Sequence, residues 1–463
     1  MLSRNFSEAS GGRALACREI SRGHATCWCC LDAGPRAPSQ GRPYKQPQFI
    51  VMTISADKYE DTPECEKCIT EQHRQQGDLI VKGFTSLMDR CEAARRLAST
   101  EEGAPFDRLD FKRELVAQLQ SSIFPELRQH TNTLADLLQP DASLKGPTPK
   151  FDLLLEIQAG LHRTLEQIYS AVQNLCPGGD QAFFTGINDQ HLKELKPYRL
   201  NGLYTEITMS FSDVYSALFG DFGELFHELK LSTGTGTPSA DVASTRECIL
   251  ADVSDCHKVI DLATNWLEGS EFDIVQAPWV HEKYRISEML ETFMLLINRC
   301  PELRYRRAPL KPLSEPIIEL ARELIPVIKL LRLLFEKLSK RGMNKKRLPM
   351  YTNMVSDQLE SVGKLVQQLV NDLERVKGAF CASSSVAEGE TAHMLMSTVG
   401  AFKYRISNLF LLISVYFLPI VPDTDGSPTR NYYKSWLASW KASFIIAIDS
   451  FVDAAYAFQD EHY

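Results

Sequence analysis

The sharpest local motif with possible chemistry is Cys65-Glu66-Lys67-Cys68. Two thiols three positions apart at a helix start can lower a thiol pKa or donate two zinc ligands. His73 is the candidate third ligand, and Cys27, Cys29 or Cys30 would have to complete a set of four. No second Cys-x-x-Cys or His-x3-His follows, and the βαβ setting of a thioredoxin-like pair is missing. The pair reads first as ordinary helix thiols; metal binding through Cys65, Cys68 and His73, and redox chemistry, are the alternatives.

Other short motifs lose their chemistry to context. Asp221-Phe222-Gly223 matches the kinase metal-binding tripeptide, but no Gly-rich loop, strand lysine or His-Arg-Asp loop accompanies it. A helical pattern through Leu218, Phe222, Leu225, Phe226 and Leu229 makes Phe222 a core residue instead. His281-Glu282-Lys283-Tyr284-Arg285 begins like a zinc-protease helix and carries Arg where the second His ligand belongs. Asp423-Thr424-Asp425-Gly426, between Pro422 and Pro428, reads as an Asx-type turn rather than an acidic metal pair. His162, His227 and His257 stand singly, without a nucleophile and orienting acid at a recognisable spacing. Nucleophile-elbow, P-loop and dinucleotide fingerprints do not occur. The expectation is no catalytic residue and no cofactor.

The strongest charge feature runs from Arg299 to Arg347, with fourteen Lys/Arg against five Glu in a chain of net charge −8. Its densest portion is Lys337, Lys340, Arg341, Lys345, Lys346 and Arg347. One reading is a helix end, where basic side chains complement the C-terminal dipole and Gly342 supplies a left-handed cap. The other is a nuclear-import patch or an anion-binding surface for acidic lipid or nucleic acid. Arg304, Arg306, Arg307 and Lys311 extend such a surface if their loop folds back. The acidic balance of the whole chain argues against a general nucleic-acid binder, which needs a basic surface to release counterions.

The elements that must carry these residues are helices. Ile69, His73, Gln76, Ile80, Phe84, Leu87, Cys91, Ala94 and Ala98 recur every third or fourth position over about 63–99. Trp436, Trp440, Phe444, Ala447, Ile448, Phe451, Ala455 and Phe458 do the same at the C-terminal end. Eight further segments are predicted at about 107–138, 150–175, 191–230, 240–268, 278–300, 314–341, 351–378 and 390–418. Turn residues at 140–149, 176–179, 232–238 and 419–428 supply breaks, and Pro125 and Pro326 should kink or interrupt their helices. Alternating Val/Ile/Thr runs bounded by turns are absent, so almost no sheet is predicted. Leu409 to Val421 is apolar over 13 residues, short of the roughly 20 a spanning helix needs. It is expected to be a buried helix, with no transmembrane segment in the chain.

Residues 1–51 carry seven basic and three acidic side chains and no long apolar run. They are expected to form a disordered leader, or a gene-model extension before Met52, rather than a signal peptide. Glu8, Glu19 and the glycines at 11, 12 and 23 argue against a mitochondrial presequence. The remaining cysteines are scattered, so a reduced intracellular setting is expected, cytoplasmic or nuclear and not secreted.

Three segments, Glu71 to Ile80, Lys340 to Pro349, and Pro422 to Gly426 followed by Asn431-Tyr432-Tyr433, resemble a multi-copy family of uncharacterised proteins from plant-pathogenic rust fungi. The resemblance spans about residue 60 to the end and implies an intracellular fungal protein, with no activity, cofactor or site residue to carry over. A likeness in architecture alone is to two-bundle helical adaptors such as the cyclin-D-binding proteins.

These readings combine into an all-α protein of about ten long helices in two joined up-and-down bundles, divided as 52–237 and 238–463. The expected function is a non-enzymatic interaction or scaffold protein with an unknown protein partner. The alternatives are an anion-binding module using Lys337 to Arg347 and a metal-binding protein using Cys65 and Cys68.

Overall fold

Apolar side chains spaced every three or four residues can leave water only if their helices cover one another, and this requirement organises the computed structural model. The structure describes residues 71–95, 109–138, 147–177, 188–234, 242–298, 313–346, 348–382, 388–423 and 428–461. All the regular elements among them are helical: α1 (Glu71–Arg95), α2 (Leu109–Gln118), α3 (Phe124–Asp136), α4 (Pro147–Leu175), α5 (Pro197–Glu206), α6 (Ser212–Glu228), α7 (Val242–Glu268), α8 (Glu271–Gln276), α9 (Trp279–Ile297), α10 (Glu315–Leu338), α11 (Ser356–Ala382), α12 (Glu388–Leu412) and α13 (Thr429–Glu461). π-turns at Leu119–Ile123 and Ile207–Phe211 join α2 to α3 and α5 to α6. Counting each joined pair as one rod, and setting aside the short α8, leaves ten long helices among the described residues.

The rods form two bundles within one compact unit. In the first, neighbours close a ring in the order α1, α6, α7, α3, α4. Its core contains the α1 stripe Ile80, Phe84, Leu87, Cys91 and Ala94, with Phe84 stacked on Phe222 at 5.1 Å. Phe222 of the kinase-like tripeptide is therefore core, 2% exposed. In the second bundle the ring runs α9, α10, α13, α12, α11, around Leu331, Phe335, Val366, Phe402, Phe444 and Phe451.

The bundles divide at residues 268–271. Helix α7, which the sequence assigns to the second half, lies in the first, with Ile249, Val253, Cys256 and Ile260 in its core. The turn-rich segment at 232–238 marks a connection rather than a domain boundary, since turn chemistry reports chain reversal and not which core a helix joins.

Prolines act locally. Pro125 sits in the first turn of α3, directly after a π-turn, whereas α10 continues through Pro326. Hydroxyls occupy acceptors around the π-turns: Thr208 Oγ1 donates to Tyr204 O at 2.8 Å, and Ser212 Oγ to Ile207 O at 2.8 Å. The region expected as one helix over 191–230 is thus a 3-10 turn (Gln190–Leu195), α5, a π-turn and α6.

A buried polar seam joins the two bundles. The Lys196 ammonium donates to Glu271 Oε1 at 2.5 Å and to Thr352 O at 2.8 Å. Thr352 answers with its N–H and hydroxyl, at 2.7 and 2.5 Å from Glu271 Oε2. Lys196 is 0% exposed, Glu271 1% and Arg199 1%. Arg199 closes the C-terminal end of α7 by donating to Trp266 O and Gly269 O, and reaches Met350 O at 2.9 Å. Asp189 accepts from Ser356 N at the first residue of α11, while Tyr198 N donates to Ser356 Oγ. One short segment, 189–199, thereby places a cation at a C-terminal helix end and an anion at an N-terminal one, the signs the helix dipoles favour.

Removing one member of a buried pair strands the other, at a cost of roughly 3–5 kcal/mol. Urea denaturation of Lys196→Met is therefore expected to show a loss of that order. Restoring electrical neutrality in Lys196→Met/Glu271→Leu should cost less than the sum of the two single changes. Additive losses would show that the pair is not coupled.

Candidate functional site

Of the six basic candidates, Lys340, Arg341, Lys345 and Lys346 lie on one loop that follows α10. The loop is fixed from within. Met343 N donates to Lys337 O at 2.8 Å, Gly342 N to Ser339 O at 2.8 Å, and Asn344 N to Ser339 O at 3.2 Å. Met343 and Asn344 are buried, and the Asn344 amide donates to Asp273 Oδ1 at 3.0 Å and Gln276 Oε1 at 3.3 Å. Gln276 in turn donates to Leu338 O at 2.8 Å. Asp273 belongs to the capping box that Ser270 makes at the start of α8.

Gly342 is not the left-handed cap expected from sequence. Its φ lies outside the left-handed region, and a Cβ there would meet Lys337 O at 1.9 Å, so the requirement is a close backbone approach. A left-handed helix end does occur at Lys230, φ 55°, where Leu231 N donates to Phe226 O after α6.

The basic side chains part company. Lys337 turns toward the start of α13: its ammonium donates to Tyr432 Oη at 2.5 Å and lies 4.7 Å from the Tyr432 ring centroid and 5.5 Å from that of Trp436. It leaves the proposed anion surface for an aromatic seat. Lys340 stands 3.9 Å from Asp273 Oδ1 while remaining 78% exposed, and Lys346 Nζ reaches Asp423 O at 3.5 Å. Arg341 and Lys345 are exposed. Arg347 lies outside the described residues, as do Arg304, Arg306, Arg307 and Lys311.

A cation not singled out from sequence, Lys283 on α9, completes the patch. Burial depresses its pKa first; Glu336 opposes that shift and nearby Arg341 adds to it. Val280 and Tyr284 share its side of α9 and are 58% and 62% exposed.

The thiol motif receives no structural support either way, because Cys65 and Cys68 lie outside the described residues. His73 is described, and its ring packs edge-on against Phe151 at 6.5 Å. Among the other histidines, His162 Nε2 pairs with Arg90 at 3.1 Å and His227 Nδ1 with Ser232 Oγ at 2.6 Å. His257 has its pKa lowered by burial and then by Arg128. Asp423 Oδ1 accepts from Arg430 N at 3.4 Å, and positions 424–427 are outside the described residues.

Sequence reasoning missed an acidic contact between α6 and α7. The Asp252 carboxyl is pushed up to about 7, by burial first and then by the charges of Asp221 and Asp255, and in its protonated form it donates a hydrogen bond to Asp221. The two acids lie 31 positions apart on different helices, so no local pattern announces them.

Two helical stretches, Ala392–Ile420 and Thr429–Asp460, are long and apolar enough to cross a membrane by length and composition. The first covers residues 409–420 of the 13-residue run expected to be buried. Leu409, Phe410, Leu412, Ile413, Phe417, Leu418 and Val421 are buried, whereas Leu411 and Val415 are 60% and 52% exposed. Of their apolar windows, 44% and 33% respectively is buried inside the protein.

Asp252 also generates a pH prediction. Its carboxyl pKa is raised, so its contribution to folding is present below pH 4 and is lost as pH rises through about 7. The thermal midpoint of Asp252→Asn relative to the parent should therefore rise between pH 5 and pH 8. A constant difference across that range would contradict the shared-proton contact.

Comparison with known proteins divides the chain where the cores divide. Residues 112–268 match one family profile, domain of unknown function DUF8723, and residues 270–453 match another, domain of unknown function DUF8721. No curated protein and no solved structure gives a significant match. The chain is thus similar to two adjoining domain families whose shared boundary coincides with the polar seam.

Proposed function

We propose that the protein is a non-enzymatic intracellular scaffold that presents its two joined bundles to a protein partner. The observation carrying this reading is the fate of the ionisable groups that converge. Lys196, Arg199, Glu271 and Asp189 meet at the bundle junction, and each is at most 1% exposed. Lys196 and Glu271 pair with each other, Arg199 is held by three carbonyl oxygens and Asp189 by the Ser356 N–H, so their chemistry is spent on joining two bodies rather than offered to a substrate. A jointed but internally tied pair of bundles supplies a preorganised surface, which lowers the ordering cost of association.

Affinity purification of the full chain from its native cells, followed by size-exclusion chromatography with light scattering, tests this. The expected result is a reproducible stoichiometric complex heavier than the 52.3 kDa chain. Recovery of the chain alone in replicate purifications would count against the scaffold reading.

A second reading, an anion-binding module for acidic lipid or nucleic acid, is favoured by the outward basic side chains of the 339–346 loop. Phosphate-mediated binding should weaken steeply between about 50 and 200 mM salt. Binding that ignores salt would remove this reading.

A further inference from the structure

We propose that the loop after α10, together with the start of α9, is a docking surface for an acidic, partly apolar segment of a partner protein. This rests on the scaffold reading and names the partner's chemistry. The first support is charge. Lys340, Arg341 and Lys345 project from a loop whose backbone is tied by the Met343, Gly342 and Asn344 hydrogen bonds, and whose inward side chains are locked onto α8. A set of outward cations on a fixed backbone, in a chain of net charge −8, is complementary to carboxylates, and little backbone freedom of the loop remains to be lost on binding.

The second support is the surface beside those cations. Val280, Lys283 and Tyr284 are neighbours on one side of α9, and Arg341 is close enough to Lys283 to disfavour its charge. An anion brought between these cations relieves their repulsion, and an apolar side chain next to it covers Val280 and Tyr284. The third support is the acids within the patch. Asp273 lies 3.9 Å from Lys340, and Glu336 interacts with Lys283. Interleaved carboxylates break the positive field into short stretches. Such a field suits a few spaced side-chain carboxylates better than the continuous charge of a membrane or a nucleic-acid backbone.

The test uses the full chain and three probes: a labelled 20-residue peptide alternating Glu with Leu and Phe, phosphatidylserine-containing vesicles, and a 20-base-pair DNA duplex. Fluorescence anisotropy, with sedimentation for the vesicles, reads binding at fixed salt. The expected result is preferential binding of the acidic peptide. Lys340→Glu/Arg341→Glu/Lys345→Glu should lose at least tenfold. Val280→Ser/Tyr284→Ser should lose several-fold without changing the salt dependence. Circular dichroism and thermal midpoints of both variants should match the parent, because the replaced side chains are exposed; a variant that fails this control is replaced by the single change Arg341→Glu. Equal or stronger binding to vesicles or duplex, no binding of the peptide, or an unchanged affinity after charge reversal would overturn the proposal. If the charge-reversed chain still co-purifies with the parent's partner, the docking surface is misplaced while the scaffold stands. If neither chain recovers a partner, the scaffold reading itself fails.

Discussion

The fold turns on four charges taken out of water at one place. Moving an ion into a protein interior is expensive, and the cost is offset only where geometry supplies nearly every partner the ion had in solvent. Lys196 and Glu271 meet that condition through each other and Thr352, and Arg199 through three carbonyl oxygens. Because the partners come from both bundles, the seam exists only when both are folded and correctly apposed. An apolar contact of the same area would tolerate sliding; a set of directional bonds from 189–199 to α7, α8 and α11 does not. The seam therefore supplies register as well as attraction.

That constraint reaches the surface through α8. Its first residue, Glu271, is held by Lys196 and Thr352, its third, Asp273, by Ser270 and Asn344, and its last, Gln276, by Leu338 O and Asn344. Six residues thus connect the inter-bundle ion pair to the loop carrying Lys340, Arg341 and Lys345. The outward cations inherit their positions from the interior rather than from the flexible geometry of an exposed loop.

The long helices were legible because burial imposes a period, and the stripes through Phe84 and Phe444 show that period directly. The ten rods and the absence of strands among the described residues follow from it. The junction was not legible for the same reason. Asp189 and Lys196 flank a 3-10 turn and Glu271 opens a helix of six residues, both too short to display a repeat. The basic loop was visible as charge, but its inward anchors Met343 and Asn344 sit between cations and look like spacers. Lys337 was grouped with its neighbours because its aromatic partner Tyr432 lies 95 positions away. The misplacement of α7 has a similar origin: a helix's apolar face records that it is covered, without naming what covers it.

The π-turns bear on how this sequence can change length. Each wide turn holds one residue more than the α-helical spiral requires at that point. Excising Met209 or Ser210, within Ile207–Phe211, would let the wide turn close to regular spiral while everything beyond kept its phase, because the wide turn is what absorbs the extra residue. Excising Val214, inside regular spiral, would instead swing everything beyond by about 100° about the axis and turn Phe219 and Phe222 away from Phe84 on α1. The rod therefore carries one residue of slack, confined to a single turn, and elsewhere both of its halves are held to an exact count.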